Sequence, residues 1–178
     1  ATRGFSYADH KELSLWAPQE GPQTEAYLTP AYETLYGGQA GGGKTDLALG
    51  LACTAHRKAI FFRREYGQLI DAIERSKEIL RDTGARFNGQ RNVWRSIPGN
   101  RVLEFGAVQY EDDKNAWKGR PHDLKTFDEL SEFTESQYLF LTGWARTTVP
   151  SQRVRVVGMS NPPAHAEGEW LIRRWAPW

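Results

Sequence analysis

Residues 33–45 read E-T-L-Y-G-G-Q-A-G-G-G-K-T, and this stretch decides the fold. From Gly38 to Thr45 it contains the pattern G-x-x-x-x-G-K-[ST] in full. Glycines in such a loop adopt positive φ and turn their N–H groups inward around a phosphate. Residues 34–38 are typical of a strand and residues 45–55 of a helix. This context favours a phosphate-binding loop over a flexible glycine-rich turn that matches by chance.

The loop predicts a site for a nucleoside triphosphate, which we take to be ATP with Mg²⁺. Lys44 is expected to lie between the β- and γ-phosphates, and the Thr45 hydroxyl to ligate the Mg²⁺. The helix that begins there would direct the positive end of its dipole at the anion. The other residues expected to cradle the phosphates are Gly38, Gln39, Ala40, Gly41, Gly42 and Gly43.

The composition is that of a soluble globular protein, with 39% hydrophobic and 25% charged residues among 178. No apolar run is long enough to cross a bilayer, so we expect no membrane partner. The single cysteine, Cys53, excludes an internal disulfide framework and a cysteine-based zinc site. Its apolar surroundings (LGLACTA) favour a packed, inert thiol. The net charge of +1 neither demands nor excludes nucleic acid.

Strand-like and helix-like patterns alternate along the chain. Further strands are predicted at 58–64, 92–98, 101–108, 123–127 and 153–158, and further helices at 68–81, 132–145 and 169–175. Pro98, Gly99 and Asn100 predict a tight turn that joins two of these strands in an antiparallel hairpin. The alternation indicates an α/β fold with a mostly parallel sheet and helices on both faces.

The segment LKTFDE ends in an acidic pair, Asp128 and Glu129, that could lie beside the glycine loop. Asp128 would hold the Mg²⁺ shell together with Thr45, and Glu129 would polarise the attacking water. Lys125 and Thr126 interrupt the apolar residues expected before such a pair. The alternative is a solvated acidic start of a helix.

Five segments together resemble the N-terminal ATPase domain of phage terminase large subunits, the motors that drive viral DNA into procapsids. They are GPQTEAY (21–27), IFFRREYGQLIDAI (60–73), RVLEFGA (101–107), WKGRPHDLKTFDELSEFTESQYLFL (117–141) and VRVVGMSNPP (154–163). The resemblance covers about residues 20–178. It implies a P-loop NTPase of the ASCE/RecA-like type that hydrolyses ATP, with residues 22–178 as the ATPase domain and residues 1–21 as an N-terminal extension.

The resemblance also implies roles for three residues outside the loop. Gln23 would read the adenine edge. Ser160 and Asn161 would couple ATP hydrolysis to movement by sensing the γ-phosphate. Without the family resemblance, SNPP would be interpreted as an ordinary Asn-Pro turn after a strand.

Some terminases place an arginine inside the phosphate loop, where this chain has Gln39 and Ala40. We therefore expect an arginine finger from elsewhere, supplied by a neighbouring subunit. The candidates are Lys118 and Arg120 in a basic turn, and Arg146; each is as easily a surface charge. Residues 63 and 64, both arginine, could also face DNA or nucleotide.

By the resemblance, the partners are double-stranded DNA, further copies in a homo-oligomeric ring, the portal protein and the small terminase subunit, in the host cell cytoplasm. A complete large subunit also carries a metal-dependent nuclease domain, and no acidic cluster for one follows the ATPase segments. We therefore expect an isolated motor domain that does not cut DNA. The alternatives are another P-loop NTPase, such as a helicase-like motor or a small-molecule kinase, and a nucleotide-dependent assembly module without catalysis.

Overall fold

A seven-stranded sheet forms the centre of the chain, in a computed structural model that describes residues 15–38 and 43–176. The strand order is β1-β7-β6-β2-β5-β4-β3. The strands are β1 Glu33–Gly37, β2 Lys58–Arg63, β3 Arg86–Asn88, β4 Val93–Ile97, β5 Arg101–Ala107, β6 Leu124–Phe127 and β7 Arg155–Ser160.

Strand β7 lies between β1 and β6. The first five strands in the sheet order are parallel to one another: β1, β7, β6, β2 and β5. The register pairs Gly37 with Ser160, and Phe127 with Gly158. The carboxyl ends of β1, β7 and β6 therefore meet at one edge of the sheet. This arrangement confirms the predicted α/β fold with a mostly parallel sheet.

Strands β4 and β5 form the predicted antiparallel hairpin, and Gly99 and Asn100 in its turn have φ angles of 81° and 57°. The three residues of β3 add a further antiparallel strand that the sequence patterns did not predict. Three residues are too few to show a period. Phe87 of β3 packs on Trp94 of β4, with the ring centroids 5.1 Å apart.

Helices cover both faces of the sheet, as predicted. They are α1 Pro22–Leu28, α2 Lys44–Thr54, α3 Ile70–Ile79, α4 Glu135–Thr142 and α5 Trp170–Trp175. On one face, α1, α2 and α3 pack over a core that includes Ala26, Leu47, Leu51, Phe61, Ala72, Leu103, Phe105 and Met159. On the other, α4 and α5 pack over Ile60, Phe62, Phe127, Tyr138, Leu141, Val156, Trp170 and Leu171.

The predicted helix at 132–145 is divided into two segments. Residues 130–132 form a 3₁₀ turn, and α4 begins only after Thr134. The Thr134 hydroxyl accepts a hydrogen bond from the backbone N–H of Gln137, whose amide oxygen accepts one from the N–H of Thr134. This capping box starts a new helix, because it satisfies N–H groups that a continuous helix would pair internally. The helix predicted at 68–81 likewise begins as a 3₁₀ turn at Tyr66–Leu69.

The two polar residues that interrupt the apolar pattern of β6 are buried with partners. Thr126 donates a hydrogen bond to the carbonyl of Ile60. Lys125 Nζ lies 3.2 Å from Nδ1 of His122, whose Nε2 lies 2.7 Å from a carboxylate oxygen of Glu104. Burial lowers the pKa of Lys125 to about 7 and that of His122 to about 4. The interruption therefore reflects a buried polar network rather than a solvated strand.

Helix α1, which the sequence patterns did not predict, is fixed to β7 by a buried arginine. Arg155 donates hydrogen bonds of 3.0 and 2.8 Å to the carbonyls of Tyr27 and Ala26. These carbonyls lie in the last turn of α1, where no intrahelical donor remains. Just before α1, the ring of Trp16 packs so closely on Gly50 of α2 that a Cβ there would lie 2.2 Å from a ring carbon.

Cys53 is buried in α2, as predicted, and burial raises the pKa of its thiol to about 12. A thiol with so high a pKa is protonated and unreactive at neutral pH. Among the residues that the structure describes, no helix is long and apolar enough to span a membrane.

Candidate functional site

The predicted site residues meet at the carboxyl ends of β1, β7 and β6, where open α/β sheets bind ligands. Lys44, the first residue of α2, is 8% exposed. Its Nζ donates hydrogen bonds of 3.0 Å to the carbonyl of Gly38 and 2.9 Å to Oδ1 of Asn161. The structure thus joins the glycine loop to the polar turn after β7, which the sequence places more than a hundred residues away.

Two of the predicted phosphate-loop glycines adopt backbone angles that favour glycine. Gly38 has φ 143° and Gly43 has φ 67°, the latter in the left-handed region at the N-terminal cap of α2. Helix α2 therefore begins at the loop, and the N–H groups of its first turn are directed towards the site. Four predicted loop residues lie outside the described part of the chain: Gln39, Ala40, Gly41 and Gly42.

The two predicted metal ligands, Thr45 and Asp128, lie next to each other. The Thr45 hydroxyl donates to Oδ2 of Asp128 at 3.5 Å, a long contact. One hydroxyl and one carboxylate are hard oxygen donors, and Mg²⁺ in phosphate sites takes one or two protein ligands and completes its shell with phosphate oxygens and water. The donor set therefore fits Mg²⁺ held jointly with a nucleotide. Within the described residues, no cluster of three or more His, Cys, Asp or Glu side chains could hold a metal alone.

Asp128 is a buried carboxylate, 6% exposed, at the end of β6. Its N–H donates to the carbonyl of Phe62 at 2.9 Å, which fixes its backbone against β2. Burial raises the pKa of its carboxyl; the nearby charge of Arg63 opposes that rise, and the charge of Glu129 adds to it. Arg63 Nε lies 3.3 Å from Oδ2 of Asp128.

Glu129, the predicted catalytic base, is half-buried and has a left-handed backbone, with φ 52° and ψ 56°. This conformation is strained for a residue with a side chain, and such strain is concentrated at functional sites. Glu129 lines a cavity of about 560 Å³ together with Asn161 and Arg64. The acidic pair therefore has two environments: Asp128 faces Thr45, and Glu129 opens on this cavity.

Gln23, expected to read the adenine edge, lies at the loop but is occupied by backbone groups. Its Nε2 donates to the carbonyl of Gly43 at 2.9 Å, and its Oε1 accepts from the N–H of Gln19 at 2.6 Å. It is buried, and a Cβ on Gly43 would lie 2.5 Å from its Nε2. Gln23 therefore supports the C-terminal end of the loop, and its contact with a base stays a prediction.

Of the two predicted coupling residues, Asn161 contacts Lys44 directly, as described above. Ser160, the last residue of β7, is fully buried, and its hydroxyl donates to the carbonyl of Asn161 at 2.6 Å. This bond holds the turn in which Asn161 lies. The structure brings both residues to the site; their coupling role stays a prediction.

The candidate finger residues lie away from the site of their own chain. Arg120 pairs with both carboxylate oxygens of Glu104 at 3.1 Å and stacks on Trp117, 4.4 Å from the ring centroid. Lys118 is exposed in the same turn. The N–H of Arg146 donates to the carbonyl of His122, which precedes β6 and so lies at the opposite edge of the sheet from Asp128. Action on a neighbouring subunit stays a prediction for all three.

Residues 63 and 64 take different positions at the end of β2. Arg64 donates hydrogen bonds of 2.9 Å to the carbonyl of Glu132 and to Oε1 of Gln137, which ties β2 to the start of α4. Arg63 instead points to Asp128 and lines a cavity with Thr45. The sequence offered one signal for Arg63: a charge directly after the apolar run AIFF, at the end of a parallel strand.

Solved structures of phage large terminases have a similar fold. The large terminase of bacteriophage HK97 superposes with a TM-score of 0.65 and 11% sequence identity, over 87% of this chain and 36% of that chain. The large terminase of a thermophilic bacteriophage, in complex with ATP-gamma-S, has a TM-score of 0.60 and 16% sequence identity, over 79% of this chain and 37% of that chain. A Thermus phage P74-26 large terminase ATPase domain has a TM-score of 0.50 and 15% sequence identity, over 87% of this chain and 69% of that chain.

The fold is an α/β fold with a mostly parallel sheet. It is the fold seen in the ATPase domains of phage large terminases. The chain spans less than two-fifths of the first two of these terminases. No family model matches the sequence, and no curated protein matches it.

Proposed function

We propose that this chain is the ATPase motor domain of a viral terminase large subunit, which hydrolyses ATP with Mg²⁺ to drive double-stranded DNA into a procapsid. The observation that carries the proposal is the meeting of Lys44, Asn161, Thr45 and Asp128 at one edge of the sheet. The terminase fold supports it, as does the ATP-gamma-S bound to the terminase of the thermophilic bacteriophage.

In the proposed mechanism, the phosphates of ATP enter between the N-terminus of α2 and Asn161. Lys44 exchanges its bonds to Gly38 and Asn161 for bonds to phosphate oxygens, which are stronger acceptors because they are charged. Thr45 and Asp128 would hold Mg²⁺, which would supply positive charge to neutralise the phosphates.

Glu129 would orient the attacking water and take its proton as the bond to the γ-phosphorus forms. Its backbone is fixed on both sides: the N–H of Asp128 binds the carbonyl of Phe62, and the N–H of Glu132 binds the carbonyl of Glu129 at 2.9 Å. Release of γ-phosphate would return Lys44 to Asn161 and so change the turn after β7.

The exposed face of β3 and β4 also supports the proposal that this chain binds DNA. Arg86 and Arg95 are directly opposite each other in this antiparallel pair, and both are exposed. Like charges in that position destabilise a sheet. Neither forms an ion pair with any residue that the structure describes. Two unpaired guanidinium groups on an open face suit the phosphates of a nucleic acid.

We further propose residues 22–178 as the ATPase domain after an N-terminal extension at 1–21, and assembly as a ring that brings a basic residue of a neighbouring subunit to this site. By family resemblance, the portal protein and the small terminase subunit are the proposed protein partners.

The test compares nucleotide binding with turnover in matched variants. Lys44→Ala should abolish ATP binding, because it removes the cation of the loop. Glu129→Gln should bind ATP like the parent and lose turnover, because only the base is removed. ADP release stimulated by DNA supports the motor; phosphorylation of a small molecule instead would support a kinase. Turnover at the parental rate in Glu129→Gln would contradict the assignment of the base.

A further inference from the structure

Arg63 occupies the side of Asp128 on which the proposed metal would bind. It ends β2, which lies next to β6, with Phe62 paired to Phe127. Its Nε is 3.3 Å from Oδ2 of Asp128, the same oxygen that accepts the hydrogen bond from the Thr45 hydroxyl. The guanidinium therefore supplies the positive charge that this buried carboxylate needs when no other cation is present.

The contact between Arg63 and Asp128 is one of charge rather than of a directed hydrogen bond. Arg63 Nε is buried and has no hydrogen-bond partner of acceptable geometry, although Oδ2 lies within ion-pair distance. A buried N–H without an acceptor costs free energy. A second cation on Asp128 would repel the Arg63 guanidinium. Because Arg63 Nε makes no directed hydrogen bond there, the side chain would lose little by moving away.

Space for a different position of Arg63 is present beside the pair. A cavity of about 270 Å³ adjoins it, lined by Thr45, Arg63, Gln68, Asp71, Ala72, Arg75 and Asp128. The Arg63 side chain is 20% exposed, so it can move without displacing the core. Because Thr45 lines the same cavity, a guanidinium that moves within it stays near the N-terminus of α2, where the phosphates would bind.

We propose that Arg63 is an arginine acting in cis: it neutralises Asp128 when the site holds no divalent cation, and binds the transferring phosphoryl group when a cation takes its place. The inference rests on the proposed ATPase function and deepens it. Arg63 would act in addition to the basic residue proposed from a neighbouring subunit, since Gln39 and Ala40 place no arginine in the loop.

Two consequences separate this role from that of a structural ion pair. Arg63 and a divalent cation cannot both occupy the buried Oδ2 of Asp128, because the two positive charges repel each other. Removal of Arg63 should therefore tighten cation binding in the absence of nucleotide. The same change should weaken binding of a mimic of the transferring phosphoryl group and leave ADP binding unchanged.

The first experiment measures Mn²⁺ binding to the nucleotide-free protein by electron paramagnetic resonance. Arg63→Gln should bind Mn²⁺ about tenfold tighter than the parent, and Arg63→Lys close to the parent. Arg75→Gln is the matched control, since Arg75 lines the same cavity but pairs with Asp46 and Glu78. Thermal melts check that each variant is folded. Equal or weaker Mn²⁺ binding in Arg63→Gln would overturn the neutralising role.

The second experiment measures the affinity of a fluorescent ADP with and without aluminium fluoride, in the presence of Mg²⁺. The parent should gain affinity with aluminium fluoride, and Arg63→Gln should lose about a hundredfold of that gain. Retention of the full gain would overturn the phosphate-binding role. If the parent binds no ADP, the proposed function fails and the phosphate role with it, whereas the Mn²⁺ titration still decides whether Arg63 competes for Asp128.

Discussion

Nζ of Lys44 lies 2.9 Å from Oδ1 of Asn161, although 117 residues separate the two in the chain. This acceptor of the loop lysine is an uncharged amide oxygen. A neutral amide is the weaker partner for an ammonium group, and a phosphate oxygen is the stronger. The site is therefore arranged so that phosphate entry replaces one bond of Lys44 with a better one.

Asn161→Asp tests this exchange. The new carboxylate would pair with Lys44 and repel the incoming phosphates, so ATP affinity should fall about tenfold or more. Isothermal titration calorimetry measures the affinity. Asn161→Ala is the control: it leaves Lys44 bonded to Gly38 and should bind ATP within about threefold of the parent. Parental affinity in Asn161→Asp would show that Lys44 and Asn161 do not compete with phosphate.

The left-handed backbone of Glu129 predicts a difference between two variants that both lack the carboxylate. Glu129→Gly should be more stable than Glu129→Ala by about 1 kcal/mol, because glycine adopts φ 52° without the steric cost of a Cβ. Urea denaturation measures the two free energies of unfolding. Both variants should lack turnover. Equal stability would mean that the backbone at 129 is relaxed.

Gly50→Ala should destabilise the protein by about 1–3 kcal/mol, because the new methyl group would overlap the ring of Trp16. Alanine is otherwise favoured over glycine inside a helix, so the sign of the change identifies the clash. Gly67→Ala, where a Cβ meets no atom within 4 Å, is the control. Adding Trp16→Ala should remove most of the penalty from Gly50→Ala in a double-mutant cycle.

Lys125 predicts a pH dependence of stability. Its pKa is about 7 in the folded chain, against a usual value of 10.5. Between these pH values Lys125 binds more protons in the unfolded chain than in the folded chain. The contribution of Lys125 to the free energy of unfolding therefore increases as the pH rises from 7 to 10.5. Below pH 7 the lysine is charged in both states, and its burial carries the full penalty.

Lys125→Met should therefore stabilise the protein most near pH 6–7, and this gain should decrease towards pH 10. Chemical denaturation of parent and variant across that range measures the difference. The exposed Lys118→Met should leave stability unchanged at every pH. A gain in Lys125→Met that does not vary with pH would contradict a lysine that titrates near 7.

The double variant Arg86→Ala, Arg95→Ala tests the proposed DNA face. Its affinity for duplex DNA should fall, and the slope of log affinity against log salt should decrease by about 2, one for each lost phosphate contact. Fluorescence anisotropy at several salt concentrations measures both. Arg173→Ala, which removes an exposed arginine paired with Glu135, is the control. An unchanged slope would exclude this face.

The sequence patterns predicted the parallel strands within one or two residues, because each is a short segment rich in apolar or β-branched residues beside a turn or a longer helical segment. They did not predict β3, whose three residues carry no period, or α1, whose fixed position depends on Arg155 more than a hundred residues away. The insertion of β7 between β1 and β6 likewise depends on long-range pairing, which local patterns do not contain.

Only the candidate site residues that belong to a local sequence motif could be named from the motifs themselves. Lys44, Thr45 and Asp128 could be named because each has a place in a motif, and the structure brings them together. The contact of Arg63 with Asp128 could not be derived, because it requires β2 and β6 to be neighbours. Gln23 could be named only from the family resemblance, and its two backbone bonds could not be derived, because they require the folded position of α1.

The strand order separates the two proposed ligands. From β1, which leads into the glycine loop, to β4, which carries Arg95, there are five strand spacings, roughly 24 Å at about 4.8 Å each. The Debye length at physiological ionic strength is about 8 Å, so exposed charges at these two places are screened from each other. Between these two places the direct electrostatic effect of a phosphate is weak. Coupling between ATP and DNA within one chain would then be carried by movement of the packed strands and helices that lie between them.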